Sequence, residues 1–92
     1  MRMNQVKTSR TKTLTQYSRT VNEHGVMVRA KCVRIETSGG ARYEILLDAA
    51  GQRAIVDVPG DPTSGLEQLV ATVAAGFAAS VSLRLTEDGR LP

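Results

Sequence analysis

The sequence of 92 residues holds no tryptophan, one phenylalanine and two tyrosines, so aromatic rings make up only 3% of it. Rings usually contribute much of the buried area of a small domain. Here aliphatic residues and alanine must fill the core, which makes it thin, with limited stability per residue, and favours self-association. The same scarcity removes the stacking platform of single-strand nucleic-acid binders, because Tyr17 and Tyr43 both fall at inward positions of their strands.

Cysteine and histidine are equally sparse. One cysteine, Cys32, excludes an internal disulfide, and with the one histidine, His24, it falls short of the ligands a zinc site needs. A reducing compartment fits, and neither metal nor cofactor is expected. The opening "MRMNQVKTSRTKTLTQ" lacks the apolar stretch of a secretory signal, so a cytoplasmic location is expected. The uncharged run from Leu69 to Leu83 spans 15 residues, short of the roughly 18 to 20 a membrane helix needs. It reads as core helix and strand, with no membrane span.

Charge is present but unevenly spread. Residues 1–34 carry eight Lys or Arg against one acid, Glu23, for +7, while residues 35–92 carry four against eight for −4, giving the net +3. That polarity points to an anionic partner at the basic end or to contact between copies.

Along the chain, residues 1–12 are polar and basic without apolar periodicity and read as a flexible arm. Residues 13–86 read as one domain and 87–92 as a polar tail. "LTQYSRTV" and "GVMVRAKCVRIET" form a first hairpin around "NEHG", which sets Val21 opposite Val26, Tyr17 opposite Ala30 and Thr15 opposite Cys32. In the second strand Val26, Val28, Ala30 and Cys32 alternate on even positions, whereas Val33 and Ile35 fall on odd ones. A β-bulge near Cys32 and Val33 would put all six on one side. A three-residue "SGG" loop then sets Tyr43 against Ile35 and Ile45 against Val33; after "DAAGQ", Ile45 lies beside Val56 and Leu47 beside Ala54. Pro59 ends the fourth strand.

From Leu66 the spacing becomes helical, with Leu66, Leu69, Val70, Val73 and Phe77 as the core stripe. "SVSLRLT" alternates Val81, Leu83 and Leu85 and reads as a fifth strand. The expected fold is α+β: a four-stranded antiparallel meander, one crossover helix packed on the sheet and a short C-terminal fifth strand.

The loop between sheet and helix tests for nucleotide chemistry. Gly60 and Gly65 have the G-x-x-x-x-G spacing of a phosphate loop, but Leu66 and Glu67 follow where that chemistry needs Lys and Ser or Thr. Ser64 and Glu67 instead fit a helix capping box, with Asp61 and Pro62 as a competing start one turn earlier. His24 in a turn and Cys32 in mid-strand do not make a nucleophile and base, and Glu44, Asp48 and Asp57 read as a solvated outer face. No catalytic residue, small-molecule substrate or enzymatic activity is expected.

Two surfaces remain. Arg29, Lys31 and Arg34 are expected to point outward beside Arg42 and Arg53, extended by Arg2, Lys7, Arg10 and Lys12 of the arm. This arrangement suits an anionic macromolecule, with nucleic acid placed ahead of an acidic protein. Ala71, Thr72, Ala75 and Ala78 are expected on the back of the helix, where charges would normally face water. That surface, or an open strand edge, suits the alternative reading: an adaptor, inhibitor or self-assembling subunit, with a homo-oligomer expected.

Overall fold

A computed structural model describes residues 11–62 and 64–87. Two short turns with left-handed backbones set the first and last hairpins. His24 (φ 53°) and Gly25 (φ 73°) join β1 (Lys12–Glu23) to β2 (Val26–Thr37), and Ala50 (φ 50°) and Gly51 (φ 77°) join β3 (Gly40–Ala49) to β4 (Gln52–Val58). Paired positive φ values match the twist of antiparallel strands, and glycine adopts them without a Cβ clash. Between β2 and β3 a two-residue turn is clasped by Thr37, whose Oγ1 accepts from the Gly39 N–H and donates to the Gly40 carbonyl, each at 3.2 Å. The four strands form one antiparallel sheet in the order β1-β2-β3-β4, followed by α1 (Leu66–Glu87).

The register departs from expectation in two hairpins. With only His24 and Gly25 in the first turn, Val21 meets Val28, Arg19 meets Ala30 and Tyr17 meets Cys32. This slip of two residues keeps Tyr17 to Val21 on their expected faces, while Thr15, beyond the bulge at Gln16, pairs with Val33 rather than Cys32. The second turn is one residue shorter than anticipated, so Tyr43 meets Arg34 and Ile45 meets Cys32. That slip of one residue reverses facing: β2 alternates without interruption against β3, and Val33 and Ile35 lie on the outer face, beside Glu44 and Arg42. A bulge does occur at this level, but in β1, where Gln16 is the extra residue between Thr15↔Val33 and Tyr17↔Cys32. The third hairpin pairs Ile45 with Val56 and Leu47 with Ala54 as anticipated.

The fifth strand does not form. Residues 79–87 continue α1, because Val81 and Leu85 stand at helical as well as alternating spacing and no glycine or proline after Gly76 interrupts the run. The buried stripe is Val70, Ala74, Ala78, Val81 and Leu85. Leu66, Leu69, Val73 and Phe77, expected at its centre, flank it half-buried. Alanines on the inner line let the helix backbone approach the sheet closely, so the larger side chains spread to either side. The helix meets Val26, Val28, Ala30, Cys32, Tyr43, Ile45, Leu47 and Ala49 of the sheet. It packs chiefly across β2 and β1, then β3, which leaves Ala54, Val56 and Val58 of β4 half-buried. Arg84 donates a hydrogen bond to Gln52 and ties the end of α1 to the start of β4.

The helix begins later than a Ser64 cap requires. Gly65, at φ 73°, supplies the first acceptor, its carbonyl 2.9 Å from the Leu69 N–H, so Ser64 lies outside the helix. With 22 residues, α1 is long and apolar enough to cross a membrane by length and composition, and its buried stripe packs on the sheet. Continuation through residues 79–87 makes the helix longer than the uncharged run Leu69–Leu83 on its own.

Candidate functional site

Register decides which basic side chains share a surface. Arg29 and Lys31 on β2, Arg42 on β3 and Arg53 on β4 all occupy the outer face of the sheet. Carboxylates accompany most of them. Arg29 Nη2 donates to Asp48 Oδ2 at 3.3 Å, Arg53 Nε approaches the same oxygen at 3.8 Å, and Arg42 Nε donates to Glu44 Oε2 at 3.4 Å. Lys31 is exposed, with no ion-pair partner among the described residues. Four basic groups against Glu44, Asp48 and Asp57 leave this face near +1. Arg29, Lys31, Asp48 and Arg53 surround a shallow concavity of about 640 Å³ floored by Leu46 and Ile55. A carboxylate shared by two arginines at its rim opposes phosphate entry.

Arg34 is not part of that surface. Uninterrupted alternation in β2 turns it to the helix-facing side, opposite Tyr43, where its guanidinium carbon lies 6.0 Å from the ring centroid. The missing bulge in β2 is the cause of this correction. Lys12 opens β1 opposite Glu36, while Arg2, Lys7 and Arg10 fall outside the described residues.

The helix-back set also separates. Thr72 is exposed, Ala71 and Ala75 are half-buried, and Ala78 is fully buried against the sheet. Ala78 therefore contributes to the core of its own chain, because the buried stripe runs through the alanines. The line facing away from the sheet is Thr72, Gly76, Ala79 and Leu83, all exposed, with Leu83 at 62%. Sequence reasoning missed Leu83 by assigning it inward in a strand; its offset of two from both Val81 and Leu85 places it opposite them on a helix.

A second feature emerges only from strand order. β4 is an edge strand, and Ile55 at its middle is 66% exposed. The other edge, β1, carries the Gln16 bulge together with Lys12 and Arg19, devices that discourage strand addition. β4 has no bulge and no proline.

The remaining candidates stay apart. His24 is exposed in its turn, whereas Cys32 is fully buried, and burial pushes its thiol pKa up. A thiol so placed is protonated and inaccessible. Among the described residues no group of His, Cys, Asp and Glu is arranged to hold a metal. Fold and surface define a small α+β domain with Leu83 exposed on the back of its helix and Ile55 exposed on an open edge strand. Compared with known proteins, the chain matches no family model, and neither a curated protein nor a solved structure matches it.

Proposed function

We propose that this chain is a small non-enzymatic protein-interaction domain that associates with other protein chains, a second copy among them, through the back of α1 and the edge of β4. One observation carries the reading: the line of α1 that faces away from the sheet, Thr72, Gly76, Ala79 and Leu83, is exposed and uncharged, and exposed Ile55 stands on the open edge of β4. Uncharged surface of that extent gains by being covered. Size-exclusion chromatography with light scattering at low and high salt tests it. The expected mass exceeds one chain, persists in salt and falls when a charge is changed on whichever surface makes the contact, by Ala79→Glu on α1 or by a charge reversal on β4, both at exposed positions. A single-chain mass under every condition, or flotation with lipid vesicles in place of self-association, overturns it.

A second reading rests on the +7 of residues 1–34 and on Lys31, which has no ion-pair partner among the described residues: attachment to an anionic macromolecule, nucleic acid first. It predicts retention on a mixed nucleic-acid pool that weakens steeply with salt and is lost on Arg29→Glu with Lys31→Glu. The ion pairs of Arg29, Arg42 and Arg53 weigh against it.

A further inference from the structure

The free edge of β4 has a definite chemistry. The two-residue turn at Ala50 and Gly51 makes Ala49 and Gln52 the hydrogen-bonded closing pair, and pairs alternate in type from there. Arg53, Ile55 and Asp57 consequently direct their backbone N–H and C=O groups away from β3, toward the open side. Their side chains all stand on the outer face, opposite Asp48, Leu46 and Glu44.

The charges along this edge are mismatched within the chain. Asp57 lies directly opposite Glu44, a like-charge cross-strand pair that destabilises a sheet. Glu44 has Arg42 at 3.4 Å, but Asp57 has no cation among the described residues. Arg53 has the converse surplus: its nearest carboxylate, Asp48 at 3.8 Å, is held more closely by Arg29 at 3.3 Å. An acid lacking a base and a weakly held base thus stand two residues either side of exposed Ile55.

Resting on the protein-interaction reading above, we infer that β4 is a homodimer interface, pairing antiparallel with β4 of a second copy about a two-fold axis through Ile55. In that register Ile55 meets Ile55 of the second copy, and Arg53 meets its Asp57 twice over by symmetry. The outward N–H and C=O groups of 53, 55 and 57 face the same groups across the axis. Each Asp57 gains a cation that the described residues of its own chain do not supply, and Ala54 faces Val56 of the second copy on the inner side, where both are half-buried. The axis stands perpendicular to the sheet, so both helices lie on one face of a continuous eight-stranded sheet. Shifting the register by two residues loses both charge pairs, which is how the edge specifies its partner.

Reversing charges tests this without disturbing the fold, because Arg53 and Asp57 are exposed. Asp57→Lys removes the repulsion with Glu44 inside the chain but sets a lysine against Arg53 of the second copy; Arg53→Glu sets two acids together. Light scattering is expected to give a two-chain mass for the unchanged protein and a single-chain mass for each variant, with circular dichroism unaltered. An equimolar mixture of the two variants is expected to recover the two-chain mass, since Arg53 then meets Asp57 and the new lysine meets the new glutamate. A dimer that survives both reversals, or one that Ala79→Glu alone abolishes, overturns the β4 interface while leaving the protein-interaction reading intact. A single-chain mass for the unchanged protein at all concentrations overturns both.

Discussion

Arg34 and Tyr43 face each other across β2 and β3 on the helix-covered side of the sheet, the guanidinium carbon 6.0 Å from the ring centroid. Glu36 Oε2 lies 3.1 Å from Arg34 Nε, yet this buried Nε makes no hydrogen bond, because proximity of charge is not matched by donor direction. An orphaned buried donor costs about 1–3 kcal/mol, more than a cation over a ring returns at that separation, about 0.5–1 kcal/mol. Arg34→Met is therefore expected to leave stability unchanged or to raise it by about 1 kcal/mol, measured by urea denaturation. A clear loss would show that the ion pair with Glu36 outweighs the orphaned donor.

Helix initiation depends on Gly65 more than on Ser64. The backbone at Gly65 is left-handed (φ 73°) and a Cβ there would meet nothing within 4 Å, so Gly65→Ala adds backbone strain alone, about 1–2 kcal/mol. Gly65→Asn should lose less, since asparagine tolerates that conformation. Ser64→Ala should change stability by no more than about 0.5 kcal/mol. Chemical denaturation of the three variants checks the order; a larger loss at Ser64 would restore it as the cap.

Val81 and Leu83 distinguish a helix from a strand. In the alternating strand first expected, both would face the core and both would be costly to truncate. In α1 Val81 is fully buried and Leu83 is 62% exposed. Val81→Ala is expected to cost about 2 kcal/mol through lost methyl burial and the residual cavity, and Leu83→Ala within about 0.5 kcal/mol. Equal losses in thermal or urea denaturation would contradict the helix.

Cys32 gives the fold an alkaline limit. Burial raises its pKa in the native state above that of the unfolded thiol, about 8.5. Once pH passes that value, the unfolded chain releases the proton while the native chain keeps it. The native state then binds more protons, so stability falls as pH rises and is unaffected below that range. Urea midpoints between about pH 7 and 9.5 should show this decline, and Cys32→Ala, though less stable throughout, should flatten it. A midpoint that held level for the unchanged protein would exclude the linkage.

The fold was legible where alternation and turn chemistry agree. β3 and β4 alternate cleanly around Ala50 and Gly51, and their register follows from the sequence. The other hairpins slipped because "NEHG" and "SGG" each close with two residues rather than more, and turn length alone sets the partners. The slip of two at Val21 was harmless to facing; the slip of one at Tyr43 moved Arg34 to the helix side of the sheet and Val33 to the other side, where Val33 is still buried. Residues 79–87 satisfy both periods, and the absence of a stop signal after Gly76 decides for the helix. An open strand edge was expected, but its place at Ile55 was not legible, since strand order and the line taken by α1 determine which strand lacks a neighbour.

Because α1 follows all four strands in the chain, time enters the assembly of this domain. Hairpins form in about 1–10 μs, whereas a ribosome adding about 5–20 residues per second needs roughly 1–4 s to supply a helix of this length. A nascent sheet thus waits many thousandfold longer than its own folding time with Val28, Ile45 and Leu47 uncovered. The rate at which the codons of α1 are read then governs how long that face is open to wrong partners, and slow codons over residues 66–87 would lower the yield of folded protein with no change to any amino acid.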